Sequence, residues 1–390
     1  MSRWTNEFLD HLRTQGDPLA DESIAKILED GEIKHATEVF KKLDQNNDLP
    51  PKEVFPELEA FFEATNQLPE NIDRERIKRG EAVFIDHAFP GALVLLTKSL
   101  PEGYQAPNLT HILHLSGNLE RHPYHRLLAV LQMLINVNSA DGFEAGGKAV
   151  IDAQKLRLLH AGIRHICPQY LPEYRAKYGE FINHEDMLGT ITAFSYLLII
   201  GLRKLGYKLS KEQENDYFYT WRVFAVMMGI HPPGEPHSFA YVPDDIEDAG
   251  RFYDLYQERH YVGVEQNPQG KSLAAANLAM LEDMIPWYLS IFGLKSLPRI
   301  YMEKLMGQEA CKNLALPLFV GGKIIEGVVL RLPWLLSVAF TPIRFFRHLI
   351  FRGHHHAFSM SLFQRMINVE YGERVTFTIP EDLKSWVDMG

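Results

Sequence analysis

Apolar residues recur along most of this chain at spacings of three and four, the periodicity of helices that bury one face. Residues 1 to about 80 read as short charged helices separated by proline and glycine. The longer predicted helices are Ile77–Ser99 with a kink at Phe89-Pro90-Gly91, Tyr124–Val137, Gln154–Cys167, Glu180–Leu205, Glu212–Gly229, Asp245–Tyr261 and Leu273–Leu289. Strand alternation is weak outside residues 374–379. The pattern therefore predicts an all-α protein.

The longest uncharged run, Met187–Leu202, raises the question of a membrane span. A spanning helix needs about 18–20 apolar residues. This run is shorter and contains Thr190, Thr192 and Ser195. We therefore expect a helix buried in the protein core.

The predicted helix Gln154–Cys167 carries the most distinctive chemistry. Successive residues turn by about 100°, which gathers an apolar arc of Leu156, Leu159, Ile163 and Cys167. His160 lies at the edge of this arc, with Arg157 and Arg164 beside it. Either His160 is a core residue between two surface arginines, or it is a metal ligand, because an imidazole buried beside cations is neutral and binds metals in that form. Arginine pairs also suit carboxylates such as haem propionates. Pro168 and Pro172 are expected to end this helix.

The same helix resembles the ligand-bearing helix of the latex clearing proteins. These are bacterial rubber oxygenases, whose wider group includes the fungal prenyl-chain-cleaving oxygenase of mycophenolic acid synthesis. The matching residues are Arg157, His160, Arg164 and His165. Two further blocks, Ile182–Thr190 and the opening Phe8–Asp21, are similar to the same family. The likeness extends over nearly the whole chain.

The resemblance implies a fold, a cofactor and a site. It implies one domain over residues 1–390, with an N-terminal helical extension at 1–80, a globin-like haem core at 81–320 and a C-terminal helical segment at 321–390. His160 is then the proximal ligand of a non-covalent haem b, and O2 binds on the opposite face. The resemblance implies that Arg157, Arg164 and His165 either support the iron ligand without touching the metal or pair with the haem propionates.

The opposite, distal side departs from the family. Arg126 matches an arginine of the family's distal pocket, which makes it the candidate catalytic residue. The family places a lysine and a threonine one turn later, where this chain has Ala129 and Val130. We expect a more apolar and open distal side, unless Gln132 or Asn136 reaches in. The candidates to replace the missing lysine as an iron ligand are His125, His111 and Lys148.

His184, Glu185 and Asp186 admit two interpretations. Carboxylates at a helix start complement the helix dipole, which is a structural role. Because the family block includes these residues, they can equally form a pocket wall.

Composition restricts the remaining classes of function. Hydrophobic residues make up 46% and charged residues 23%, as in ordinary globular proteins. The net charge of −10 argues against nucleic acid as a partner. Two cysteines, Cys167 and Cys311, suit a reducing compartment, and the absence of Cys-x-x-Cys-His excludes covalent haem attachment. Residues 1–7 lead into charged sequence without an apolar signal region, so we expect a cytoplasmic protein.

Three other segments suggest ligands or partners. The stretch Asp44–Asp48 lacks the glycine and the terminal glutamate of a calcium loop, and is rejected as one. Residues 330–352 are basic and aromatic, which predicts a packed helix or a weak peripheral contact with membrane. His354–His356 have no second ligand cluster, which favours a solvated tail over a zinc site.

The sequence thus predicts a haem-dependent oxygenase of the dioxygenase type. Its expected partners are O2 and a hydrophobic unsaturated small molecule or polymer, whose alkene bond it cleaves to carbonyl products. The alternatives are a haem-binding sensor, carrier or peroxidase-like protein without alkene cleavage, and a haem-free helical lipid-binding protein. Cys167 as a thiolate ligand is disfavoured because the cytochrome P450 setting is missing.

Overall fold

A computed structural model describes residues 2–29, 56–70, 72–116, 123–139, 141–285, 294–319 and 331. The predictions for Asp44–Asp48, His354–His356 and residues 374–379 lie outside these residues, as does the segment 330–352 apart from Arg331. Every regular element in the described part is helical, which confirms the all-α prediction. The helices are α1 (Asn6–Leu12), α2 (Pro18–Glu29), α3 (Pro56–Thr65), α4 (Arg74–Asp86), α5 (Ala88–Gly103, with a π-helical stretch at Leu95–Ser99), α6 (Pro107–Ser116), α7 (Pro123–Val137), α8 (Lys148–Tyr170), α9 (Tyr174–Tyr178), α10 (His184–Phe194), α11 (Tyr196–Lys204), α12 (Lys211–Met227), α13 (Ile246–His260), α14 (Pro268–Asp283), α15 (Leu297–Met306) and α16 (Gln308–Asn313).

Several helices begin where a polar side chain caps the first turn. Asn183 accepts a hydrogen bond from the backbone N–H of Asp186 at the start of α10. Ser210 and Gln213 form a reciprocal capping box at the start of α12. Such caps satisfy backbone donors that the helix itself leaves unpaired. The local sequence therefore fixes these helix starts.

Proline has different effects at the two sites where we expected helix breaks. The predicted kink is present, since α4 and α5 meet at an angle of 80° around His87, with Pro90 in the first turn of α5. The expectation that Pro168 ends α8 is wrong, because the helix continues through it to Tyr170. Pro168 lies within the last turn, so it removes only one hydrogen bond near an end that already lacks partners.

The main hydrophobic core is one continuous cluster of buried side chains that extends from Trp4 to Leu316. Helices α4 and α12 cross within it at very close range. A Cβ on Gly80 would lie 2.3 Å from Thr220 Oγ1 and 2.5 Å from the Asp216 carbonyl oxygen. The aromatic side chains of α12 also belong to this core, where Trp221 stacks on Phe194 with 5.1 Å between ring centroids. The N-terminal residues are therefore part of the same core as the central helices.

Helix α8 lies between the N-terminal helices and the central ones. It packs against α2 and α3 on one side and against α7 and α12 on the other. Leu158 and Ala161 join a second cluster with Ile24 and Phe61, while Ile163 and Cys167 join a third. This long helix is consequently buried on several faces.

The run Met187–Leu202 lies within the helical stretch His184–Lys204, which is formed by α10 and α11. By length and composition this stretch could cross a membrane, but 78% of its most apolar 18-residue segment is buried inside the protein. Among the described residues, a second such span arises only if the bent pair α4 and α5 is counted as one. The burial of the stretch agrees with the expected core helix.

Candidate functional site

His160 occupies the middle of α8 and is half-buried, with its Nδ1 atom fully buried. Leu156 and Leu159, also half-buried, precede it on the same helix. Helix α7, which packs against α8, contributes the half-buried apolar side chains Val130 and Met133. Both helices therefore present apolar surface that remains partly uncovered. On α8, the His160 imidazole lies next to this surface.

Arg157 is buried and holds the opening segment of the chain. Its Nε donates to Asp17 Oδ2 at 2.6 Å and its Nη2 to Asp17 Oδ1 at 2.9 Å. A third hydrogen bond goes from Nη1 to the Met227 carbonyl oxygen, and the guanidinium lies 5.4 Å from the ring centroid of Phe61. Burial favours the neutral acid, but the charge and hydrogen bonds of Arg157, together with the Arg164 charge and the Ala20 backbone N–H, outweigh it and hold the pKa of Asp17 below its usual value. The pair is therefore a charged, two-point contact between α8 and the start of α2.

Arg164 makes the equivalent contact two turns later. Its Nε donates to Asp21 Oδ1 at 2.7 Å, and its Nη1 to the Ile182 carbonyl oxygen at 3.4 Å. The Arg164 side chain is 4% exposed and that of Asp21 38%. The interpretation of these two arginines as solvated surface cations is therefore wrong. The structure shows their carboxylate partners within the chain, and a contact with haem propionates stays a prediction.

His165 has a different environment from His160. It is exposed on the surface of α8. The two histidines of the sequence motif thus differ in exposure: His160 is half-buried and His165 faces solvent.

The predicted distal residues lie on α7. Arg126 is part of this helix, but its side chain is outside the described residues, as is that of His125. Ala129 and Val130 are half-buried and offer no polar side-chain atom. Neither residue therefore supplies a hydrogen-bond donor from its side chain in the folded protein.

Gln132 and Asn136 form a polar connection between α7 and α8. Gln132 Nε2 donates to Asn136 Oδ1 at 2.8 Å, and Asn136 Nδ2 donates to Asp152 Oδ2 at 2.8 Å. Burial raises the pKa of Asp152 to about 6. Asp152 stands eight residues before His160 on α8, a rise of about 12 Å. These two amides therefore link the helices near their hairpin connection.

The block His184–Asp186 forms polar contacts within the fold. Glu185 is fully buried and accepts hydrogen bonds from Arg259 Nε at 2.8 Å and His260 Nε2 at 2.7 Å. Asp186 accepts from Asn183 Nδ2 at 2.9 Å and from Asn108. These contacts tie α10 to α13 and α6, which supports the structural interpretation of the two carboxylates.

His184 differs from its two neighbours. Neither ring nitrogen makes a well-aligned hydrogen bond with a described residue, although the Gly16 backbone lies close. Burial lowers the pKa of His184 to about 3, so the ring is neutral at physiological pH. It is thus a neutral ring beside the charges of Asp17 and Arg164.

The other candidate iron ligands have different surroundings. Cys167 is fully buried among apolar residues, and burial raises the pKa of its thiol to about 12. His111 Nδ1 is hydrogen-bonded to the Pro107 carbonyl oxygen at 2.6 Å. Lys148 is half-buried at the first position of α8.

The donor set of the described residues fits a metal that brings most of its own ligands. Within the ranges described, no group of three or more His, Cys, Asp or Glu residues is arranged to hold a metal ion. A porphyrin supplies four nitrogen ligands, so its iron requires only one axial side chain. His160 on α8 would supply such a ligand, and the apolar side chains of α7 and α8 suit a flat macrocycle.

Sequence reasoning missed Asp17 and Asp21 as partners of the arginines. Both lie in the opening block that resembles the latex clearing proteins, and they are one helical turn apart. The two acids and the two arginines can each be seen in the sequence, but about 140 residues separate each acid from its arginine. Only folding brings them together.

Comparisons with known proteins agree on one family. A family model described as "ER-bound oxygenase mpaB/B'/Rubber oxygenase, catalytic domain" matches residues 89–335, which is more than half of the chain. A rubber oxygenase of Streptomyces sp. (strain K30) is 19% identical over 222 residues, which cover 55% of this chain and 53% of that protein. The chain thus spans about half the length of this curated relative.

A solved structure of the latex clearing protein LCP in the closed state is similar in fold. The TM-score is 0.71, with 94% of each chain covered and 16% sequence identity. At this identity the likeness establishes the fold alone.

Proposed function

Because the chain belongs to the family of mpaB/B′ and rubber oxygenase catalytic domains, we propose that it is a haem b-dependent oxygenase that cleaves an alkene with O2. The observation that carries the proposal is the position of His160. It lies within the matched region, on a buried helix held by two ion pairs, and is itself only half-buried. A neutral imidazole in such a place is suited to ligate iron.

The proposed reaction adds O2 across one carbon–carbon double bond. Both oxygen atoms enter the product, one on each former alkene carbon, so the two fragments end in carbonyl groups and no reductant is consumed. Haem, when bound, supplies the iron at which O2 reacts. His160 would be the residue that holds that iron, and Arg126 would provide hydrogen-bond donors to the reacting oxygen.

The apolar side chains near these residues suit a hydrophobic substrate. Ala129, Val130 and Met133 on α7 are half-buried and leave partly uncovered apolar surface. We propose an isoprenoid or another unsaturated chain as the substrate, because such a molecule needs little polar recognition. We further propose a cytoplasmic location, supported by the two free, buried cysteines; fractionation of cells that produce the protein tests it.

Two measurements test the proposed function. The purified protein should show a Soret band in the oxidised, reduced and CO-bound states. With squalene as a probe, it should consume O2 and release aldehydes or ketones in a ratio of one O2 to two carbonyls. Absence of a Soret band after loading with hemin would refute the haem assignment.

A second candidate function is a haem-binding sensor, carrier or peroxidase-like protein. Ala129 and Val130 favour it, because neither can replace the distal lysine or threonine of the family as a donor. A normal haem spectrum, together with no carbonyl product from squalene or from unsaturated fatty acids, would select this alternative.

A further inference from the structure

The two ion pairs of α8 occupy one side of that helix. Arg157 precedes His160 by three residues and Arg164 follows it by four. At about 100° per residue, the two arginines point within about 20° of each other, and His160 lies about 50° around the helix from them. Along the axis the arginines are about 10 Å apart, with His160 between them. Contacts at these two points fix the rotation of α8 and its position along its own axis.

Both acidic partners, Asp17 and Asp21, lie within about one helical turn of each other at the start of α2. Asp17 precedes the first residue of α2, where its Oδ1 also accepts from the Ala20 backbone N–H at 3.3 Å. Asp21 follows one turn later and pairs with Arg164. The start of α2 therefore holds α8 on both sides of the His160 level.

The surroundings of Asp17 leave room for this pair and little else. Gly229 has a φ of +88°, and a Cβ there would lie 3.2 Å from Asp17 Oδ2 and 3.3 Å from Arg157 Nε. His184 and His231 also face Asp17, and burial lowers the pKa of both rings. They are therefore poor cations, and the positive charges at Asp17 belong to Arg157 and Arg164.

We infer that Asp17 and Asp21 are positioning residues for the axial ligand: through Arg157 and Arg164 they set the orientation in which His160 meets the haem iron. This inference rests on the proposed function. Groups that orient a metal ligand without touching the metal typically change affinity about 10–100-fold when removed. Asp17 should have the larger effect, because its side chain is 6% exposed and binds in a bidentate manner.

The test compares Asp17→Asn and Asp21→Asn with a matched control. At both positions Asn removes the charge that pairs with arginine, and at position 17 it keeps the side-chain oxygen that caps α2. The control is Glu214→Gln, which removes another buried carboxylate, 5% exposed, that is bidentate to Arg203 between α11 and α12. Glu214 lies 13 residues before Met227 on α12, a rise of about 20 Å, so it is distant from the Arg157 contact.

Three readouts are taken on each full-length variant, the first two after loading with hemin. They are the rate of haem transfer to excess apomyoglobin, the iron–histidine stretching frequency of the ferrous protein by resonance Raman, and the Tm of the haem-free protein. We expect Asp17→Asn to release haem about 10–100-fold faster than wild type and to shift the iron–histidine band. Asp21→Asn should do the same to a smaller extent, and Asp21→Glu, which retains the charge, should restore both values.

The outcomes are distinct. If the Asp17, Asp21 and Glu214 variants release haem equally fast at an equal loss of Tm, the ion pairs of α8 contribute only to overall stability and the inference is wrong. An unchanged iron–histidine band in the Asp17 and Asp21 variants would also overturn it. Should Asp17→Asn fail to fold, the partly exposed Asp21 carries the test. A wild-type protein that binds no hemin would instead refute the proposed function.

Discussion

At the scale of single residues, His160 and His165 show how one helix places two histidines in different environments. They are five residues apart on α8, but His160 is half-buried with a fully buried Nδ1, while His165 is exposed. His160→Ala should therefore yield protein with little haem after hemin loading. His165→Ala should keep most of it, because a solvent-facing ring is not needed to hold the iron. Pyridine haemochrome quantitation of both variants measures this, and normal haem content in His160→Ala would contradict the ligand assignment.

Glu81 offers a prediction that depends on pH. Its side chain is largely buried on α4, and burial, helped by Asp141, raises its pKa to about 7. Because the folded state holds this proton more tightly than the unfolded chain, the contribution to stability is complete below about pH 4.5. It is lost as the pH rises through about 7.

Glu81→Gln removes the ionisable group and should change this dependence. Relative to wild type, the variant should gain about 1–3 kcal/mol between pH 4 and pH 8, after allowance for partial solvation. Urea unfolding at the two pH values measures the gain. The exposed Glu75→Gln on the same helix is the control, and equal pH profiles for Glu81→Gln and wild type would show that the Glu81 pKa is not raised.

At the scale of helices, the crossing of α4 and α12 depends on the missing side chain of Gly80. Thr220 and Asp216 lie so close to this glycine that no space remains for a Cβ. Gly80→Ala should cost about 1–3 kcal/mol through overpacking, which exceeds the gain of at most about 1 kcal/mol in helix propensity.

Gly91→Ala on α5 is the matched control, because its Cβ would make ordinary contacts of 3.6–3.9 Å with Leu198 and Phe84. It should be neutral or slightly stabilising. Thermal unfolding of both variants measures the difference, and a stable Gly80→Ala protein would show that the two helices can separate without loss.

At the scale of the whole molecule, the proposed function requires haem, O2 and substrate to meet on a distal side that we expect to be open. Ala129 and Val130 provide no iron ligand. The resting ferric haem should consequently be five-coordinate or hold a water, and CO or imidazole should bind without displacing a protein group. Arg126 would remain as a cationic donor to an oxygen atom that gains negative charge. Arg126→Ala should lower the rate of O2 consumption about 10²–10³-fold, typical of removing one such donor, while haem content changes little.

Electron paramagnetic resonance and absorption spectra of the resting protein test the coordination, and steady-state O2 uptake tests Arg126. A resting state with protein nitrogen ligands on both faces would contradict the open distal side. Variants of His125, His111 and Lys148 would then identify the residue that binds in place of the missing lysine.

The sequence by itself determined the helical class, the position of the helix that carries His160 and the family. Helical periodicity depends on residues three and four apart, so it is visible locally. The motif around His160 is equally local, and the matched region confirms the family that it indicates. The same local view misjudged Pro168, because the effect of a proline depends on how near it is to the helix end.

Only the tertiary structure decided what the charged residues near His160 contact. From the sequence, Arg157 and Arg164 could be surface cations, propionate partners or structural groups. The fold buries them and supplies Asp17 and Asp21 from about 140 residues away. Glu185 likewise gains Arg259 and His260 from α13. A buried charge needs a partner, but which partner it receives depends on how distant helices pack, and no local pattern contains that information.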